Sequence, residues 1–319
     1  MNHSDNPTNI IPKILCIALI IVVGLLCISS AQGSIGELLN AGGTHAAPTL
    51  PINIPTVRPT PSYTSPNGQS ASAGETPAPS PTATARPVLG QLTHNGAAEE
   101  IAHHTDSELE FIITRVTREK LVYYTVELAL TSPYQLLTAF AGNRITNRDY
   151  TSNIAQSNDA LLAINGDFCG YNSNGIIIRN GILYRDTAST RSLAVYDSSG
   201  NFSYIPEKDA DAQALIDAGV FHTFSFGPVL VENSQATSDE VIEEHFLSHR
   251  VREPRTAIGQ LGPLHYLILV VDGRQDASQG MLFSELQDTF VSYGVISAYN
   301  LDGGGSSTLY YNGEVINSP

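Results

Sequence analysis

The chain has 319 residues, 31 of them acidic and 16 basic, and a formal net charge of −15. A field of that sign repels a phosphate backbone, so a nucleic-acid partner is not expected. The three cysteines, two of them inside an apolar N-terminal run, supply neither a disulfide framework nor a thiolate zinc site.

The N-terminus falls into two zones. Residues 14–28 (ILCIALIIVVGLLCI) are continuously apolar and preceded by Lys13. The run is short for a membrane-spanning helix and long for a signal peptide. A base on the leading side favours an inside N-terminus and an exported remainder. Residues 1–33 therefore read as a cytoplasmic leader and single-pass signal anchor in the cell membrane. Ser29-Ser30-Ala31 offers a cleavage site that would release a secreted form. Residues 34–96 hold ten of the 18 prolines, interleaved with Ser, Thr and Ala. Such a composition cannot bury a core and reads as a disordered stalk, reaching up to ~150 Å if extended.

Residues 97–319 are long enough for one substantial core, and the entire acidic excess lies there. Strand patterns dominate: Leu121–Leu130, Ala160–Ile164, Gly175–Ile178, Ile182–Tyr184, Leu193–Tyr196, Phe202–Ile205, Phe226–Val231 and His265–Val271. Asn180-Gly181 predicts a type I′ hairpin, and Asp197-Ser198-Ser199-Gly200 a second hairpin. Helices are expected over Asp209–Ala218 and Met281–Tyr293, each stopped by a glycine, Gly219 and Gly294. The expected fold class is α+β, with a mixed, mostly β core and a few flanking helices. Cys169 reads as a small buried hydrophobe.

Chemistry concentrates at strand ends. Asp167 follows Asn165-Gly166, Asp272 closes the 265–271 run, and Asp302 precedes Gly303-Gly304-Gly305-Ser306-Ser307-Thr308. A backbone turning through three glycines can aim several N–H groups into one anion-binding concavity. The run carries no Lys, so a Walker loop does not fit. The Asp side chains suit general acid–base work or a divalent cation as hard ligands. No cofactor is required by the sequence, and the nine histidines form no convincing ligand spacing. Arg255 and Arg274 are natural bidentate clamps for phosphate.

Seven ordered segments carry a resemblance: Asn165-Gly166-Asp167-Phe168, Arg179-Asn180-Gly181, Phe224-Ser225-Phe226-Gly227-Pro228, Pro254-Arg255-Thr256-Ala257-Ile258-Gly259, Val271-Asp272-Gly273-Arg274, Ser278-Gln279-Gly280 with its helix, and Asn300 through Thr308. Together they resemble the phosphodiester glycosidase family over roughly residues 100–319. That resemblance implies a hydrolase acting on a sugar-1-phosphodiester; bacterial relatives are often labelled exopolysaccharide biosynthesis proteins. A cell-surface or exopolysaccharide glycan is then the expected substrate. Two departures stand out. Relatives commonly carry an aromatic where Cys169 stands, and they usually add a short loop and one more strand after Asn317-Ser318-Pro319, so the last strand is expected to be missing.

Cleavage at the anomeric carbon passes through an oxocarbenium-like state, with phosphate as an already good leaving group. Asp302 and Asp272 are assigned as base or as electrostatic partner of the sugar cation. Asp167 is a further catalytic candidate that with Asn165 would bind sugar hydroxyls or a cation, and His222 is an acid–base candidate. Gly303, Gly304, Gly305, Ser306 and Ser307 would hold the phosphodiester with Arg255, supported by Thr256 and Arg274. Two other readings use the same loops: a tethered, non-catalytic glycan-binding module, and a metal-dependent phosphodiesterase breaking the P–O bond.

Overall fold

The computed structural model describes residues Ala18–Ile21, 86–245 and 250–318. In chain order its strands begin with β1 (Ala18–Ile21), β2 (Ala97–Thr105), β3 (Leu109–Arg118), β4 (Leu121–Leu130), β5 (Leu137–Thr138) and β6 (Leu162–Asn165). Then come β7 (Ile177–Arg179), β8 (Ile182–Arg185), β9 (Ser192–Tyr196), β10 (Phe202–Pro206), β11 (His222–Ser225), β12 (Val229–Glu232) and β13 (Gln235–Ala236). The last are β14 (Arg255–Gly262), β15 (His265–Val271), β16 (Ser297–Asn300), β17 (Leu309–Tyr311) and β18 (Glu314–Val315). The helices are α1 (Thr151–Ser157), α2 (Ala212–Asp217), α3 (Asp239–His245) and α4 (Phe283–Ser292). A mostly β core with few helices is thus as expected.

An eight-stranded antiparallel sheet runs in the order β13-β12-β16-β14-β15-β4-β3-β2. Its central strands read as apolar throughout because both faces are covered. In β15, Tyr266, Ile268 and Val270 point into one core with Ile164, Tyr196, Phe224 and Leu309 of the smaller sheets. The alternate residues Leu267, Leu269 and Val271 point into a second core against Phe283, Leu286 and Phe290 of α4. The period-two pattern of one strand thereby fixes a three-layer arrangement. Burying each such side chain contributes roughly 1.5–3 kcal/mol, which makes this sheet the rigid base of the loops at its ends.

The predicted hairpin at Asn180-Gly181 forms, with both residues left-handed at φ 52° and 75°. Helix α4 ends at Gly294 with φ 78° as its pattern predicts. The expected Asp209–Ala218 helix is shorter, because Asp211 caps α2 by accepting from Ala214 N at 2.8 Å.

The N-terminal side of the domain begins earlier than composition suggests. Arg86 Nη1 donates to Asp106 O at 2.8 Å, Leu89 is buried, and Gly90 N donates to the buried Glu127 carboxylate at 2.9 Å. Residues 86–96 therefore belong to the domain, since specific hydrogen bonds outweigh a linker-like composition there. Of the expected membrane segment, Ala18–Ile21 is a strand that pairs with β5 on one side and β6 on the other. The rest of 1–33, and the stalk as far as residue 85, lie outside the described residues. Among the described residues no helix is long and apolar enough to cross a membrane.

Candidate active site

Strand register gathers the loaded loops at one end of the large sheet. Arg255 pairs with Val271 and Ala257 with Asn300, so the start of β14 lies beside the exits of β15 and β16. Asp272 and Asp302 leave those exits. Asn165, at the end of β6 in the second sheet, reaches across to the same point.

Asn165 is the bracket of the glycine turn. Its Nδ2 donates to Asp302 O at 2.6 Å, while its Oδ1 accepts from Thr256 Oγ1 at 2.7 Å and Thr308 N at 3.1 Å. One fully buried amide therefore ties both ends of the turn to β14. An aspartate there would set a carboxylate against the Asp302 carbonyl, which explains the amide. Asn165 and Thr256 spend their polar atoms on architecture.

The turn is not an open nest. Gly303 N donates to its neighbour's Asp302 Oδ1 at 2.9 Å, and Gly304 N to Pro254 O at 2.9 Å. Glycine is required at both positions for different reasons. A Cβ on Gly303 would stand 2.7 Å from Pro254 O, and Gly304 is left-handed at φ 60° with its Cβ position 3.2 Å from the Arg274 guanidinium. Gly305 faces open space. Ser306 and Ser307 are buried, and the Ser307 hydroxyl has no hydrogen-bond partner among the described residues. Neither serine is presented to a ligand.

A cleft of about 340 Å³ opens beside the turn, lined by Pro254, Gly273, Arg274, Gln275, Gly305 and Ser318. Arg274 is left-handed at φ 58°, has an exposed side chain, and pairs through Nε with Glu253. Its guanidinium lies over Gly304; Asp302, two residues earlier in the turn, is half-buried. Arg255, by contrast, turns away. It is buried, donates to Met281 O at 3.2 Å and Val251 O at 3.1 Å, and lies 3.8 Å over the Phe283 ring. Burial lowers its guanidinium to about 10, against the favourable Glu253 carboxylate.

The three Asp candidates separate by environment. Asp272 is buried; its Oδ1 accepts from Asn317 Nδ2 at 3.0 Å and Ser318 N at 2.9 Å, fixing the cleft's C-terminal wall. Burial pushes its carboxyl above the ordinary value, although those bonds and the Arg115 charge pull it back. Asp167 is fully buried, 2.7 Å from Arg179 Nη2, and accepts from Ser225 N at 3.0 Å. Burial alone would lower the Arg179 guanidinium; the adjacent Asp167 carboxylate reverses that and raises it. Both Asp167 carboxylate oxygens and its charge are engaged in the core. Asp302 alone keeps contact with solvent at the turn.

His222 lies in the core. Its Nε2–H donates to Leu136 O at 2.8 Å, and Nδ1 accepts from Asn180 N at 3.1 Å. Burial pushes it down to about 3, only partly opposed by the Leu136 bond, so the ring is neutral with both nitrogens engaged. Cys169 is buried and its thiol is pushed up by burial, an inert packing residue. Among the described residues no three His, Cys, Asp or Glu side chains converge as a metal site. Sequence inspection missed Glu253, Asn317 and Ser318. Glu253 sits directly before Pro254-Arg255, and its position beside that motif was the available signal.

Residues 158–319 match the family model described as phosphodiester glycosidase. The chain belongs to the phosphodiester glycosidase family. It is 30% identical over 224 residues to the SPbeta prophage-derived uncharacterized protein YomE of Bacillus subtilis (strain 168), covering 66% of this chain and 34% of that protein. It is 32% identical over 105 residues to the N-acetylglucosamine-1-phosphodiester alpha-N-acetylglucosaminidase of Bos taurus, covering 32% of this chain and 20% of that enzyme. The chain thus spans about a third or less of the length of these relatives. Among solved structures, the zebrafish N-acetylglucosamine-1-phosphodiester alpha-N-acetylglucosaminidase catalytic domain, auto-inhibited by its pro-peptide, shares the fold. Its TM-score is 0.53 at 22% identity, covering 70% of this chain and 80% of that one.

Proposed function

We propose that this chain hydrolyses the glycosidic C–O bond of sugar-1-phosphodiesters on cell-surface or exopolysaccharide glycans, outside the cytoplasm. Membership of the phosphodiester glycosidase family supports a hydrolase of this type. The observation that carries the assignment of roles is the exposed Arg274 guanidinium over Gly304 at the cleft, with Asp302 two residues earlier in the same turn. Arg274 binds the phosphodiester and overcomes the repulsion of an acidic protein. Asp302 stabilises positive charge developing at the anomeric carbon and draws the proton from the attacking water. Because phosphate leaves readily, no strong general acid is needed, which fits a neutral, inaccessible His222. Asp272 holds Asn317 and Ser318 in place at the cleft wall.

The test is incubation of the full chain with methyl α-N-acetylglucosaminyl phosphate in ¹⁸O-labelled water. Label on the anomeric carbon of the released sugar is expected, and Asp302→Asn should abolish turnover without moving the unfolding midpoint. Label in phosphate would instead establish a phosphodiesterase. Binding without turnover would favour a glycan-binding module.

A further inference from the structure

Phe168 leaves the turn after β6 in a left-handed conformation, φ 57°. A bulky side chain adopts that region only when its surroundings impose it, and such residues gather at ligand sites. Its ring is half-buried and packs into none of the hydrophobic clusters. Instead it stacks on Tyr171, with centroids 4.1 Å apart and planes 2° apart. Arg148 lies 3.6 Å from the Tyr171 centroid. Two groups that close cannot share one face, so Tyr171 is sandwiched between Phe168 and Arg148. Among the described residues no other ring or cation covers Phe168, which therefore has one face backed and one without an aromatic partner. Two residues before it, Gly166 O accepts from Asp302 N at 3.0 Å. The ring rides on the loop that brackets the glycine turn.

We propose that the face of Phe168 turned away from Tyr171 is a platform for the pyranose ring of the substrate, with Tyr171 and Arg148 fixing its orientation from behind. The inference rests on the glycosidase reading for the identity of the ligand. An aromatic face carries negative potential and attracts the polarised C–H face of a sugar, whereas a phosphate or carboxylate gains nothing from it. A three-layer stack that is already built costs no ordering when the sugar arrives. The same device accounts for the backbone strain, which serves to aim the ring.

The sequence contains no tryptophan, so Phe168→Trp in the full chain places a single indole at the platform. Titration with methyl α-N-acetylglucosaminyl phosphate should give a saturable fluorescence change. Phe168→Gly removes the ring and the left-handed penalty together. Its unfolding midpoint should hold or rise while KM increases roughly five- to tenfold with little change in kcat. Phe168→Tyr should restore KM. A packing role predicts the reverse, a lower midpoint and an unmoved KM, and that result overturns the platform. Turnover with no fluorescence response and an unmoved KM would also overturn it while keeping the glycosidase. A saturable response without wild-type turnover would keep the platform and remove the glycosidase. Neither response nor turnover would overturn both. Should Phe168→Trp fail to fold, calorimetric titration of wild type against Phe168→Gly replaces it, and equal affinities would overturn the platform.

Discussion

Asp167→Ala separates an architectural carboxylate from a catalytic one. In the native domain the Asp167 side chain is fully buried and its partner Arg179 nearly so, 2.7 Å apart. Arg179 also donates to Thr223 O and to Ile178 O at 3.2 Å, and lies 4.7 Å over the Phe224 ring. Removing the carboxylate leaves the guanidinium held by carbonyls in a dry core, with no counter-charge, and orphans Ser225 N–H. Loss of one partner of a buried pair costs about 3–5 kcal/mol. For a domain of this size that corresponds to a midpoint lower by roughly 6–20 °C. Urea unfolding of wild type, Asp167→Ala, Arg179→Met and the double variant Asp167→Leu/Arg179→Met measures it. The double variant should recover most of the loss, since an apolar pair of similar volume needs no compensation. A single-variant loss below about 1 kcal/mol, with activity abolished, would refute the reasoning and return Asp167 to the mechanism.

Titration gives further checks. His222 falls from 6.5 to about 3 on folding, so the unfolded chain accepts a proton that the folded one refuses. Its contribution to stability is complete above pH 6.5 and is lost as pH falls through that window, by up to about 1.4 kcal/mol per pH unit. Urea melts of wild type and His222→Gln between pH 4 and 7.5 should converge as the pH falls; parallel curves would remove the effect. Asp272 is raised above 3.8, so its contribution is full below that value and is lost as pH rises through the raised pKa. Asp272→Asn keeps an acceptor for Asn317 and Ser318 without ionising. Its stability relative to wild type should therefore improve with rising pH, and a flat difference would contradict the burial argument. Within the glycine run, Gly303→Ala should cost about 1–3 kcal/mol by collision with Pro254 O, whereas Gly305→Ala should fall within about 0.5 kcal/mol. Equal thermal shifts for the two would mean the turn is not held as described.

Strands covered on both faces, such as β4 and β15, were legible as long apolar runs, and the Asn180-Gly181 hairpin as a turn that needs two left-handed residues. Strand β2 was not, because AAEEIAHHT sits at the sheet edge, largely exposed, and carries no alternation to detect. Strands β17 and β18 are three and two residues long, and their only signal is the left-handed Asn312-Gly313 between them. The site was legible as a neighbourhood but not as a set of roles. Asn165, Thr256, Asp272, Gly303 and Arg274 do converge, because adjacent strand ends bring them together. Spacing along the chain carries no information about which way a side chain turns. Arg255 and Arg274 look alike in sequence, yet the first lies buried on Phe283 and the second reaches the cleft.

What divides the candidates is whether their polar capacity is already spent inside the protein. Asp167 has its charge matched by Arg179 and its second oxygen by a backbone N–H, and His222 has both nitrogens engaged, so neither can exchange a proton with substrate without first breaking the core. Asn165 and Thr256 are committed to each other and to the turn. Asp272 is partly committed, holding the C-terminal wall of the cleft. Asp302 is held at its backbone by Asn165 and Gly166, its Oδ1 accepts from Gly303 N, and the residue is only half-buried. The ordered network behind it is therefore what holds a three-glycine turn in place under the Arg274 guanidinium.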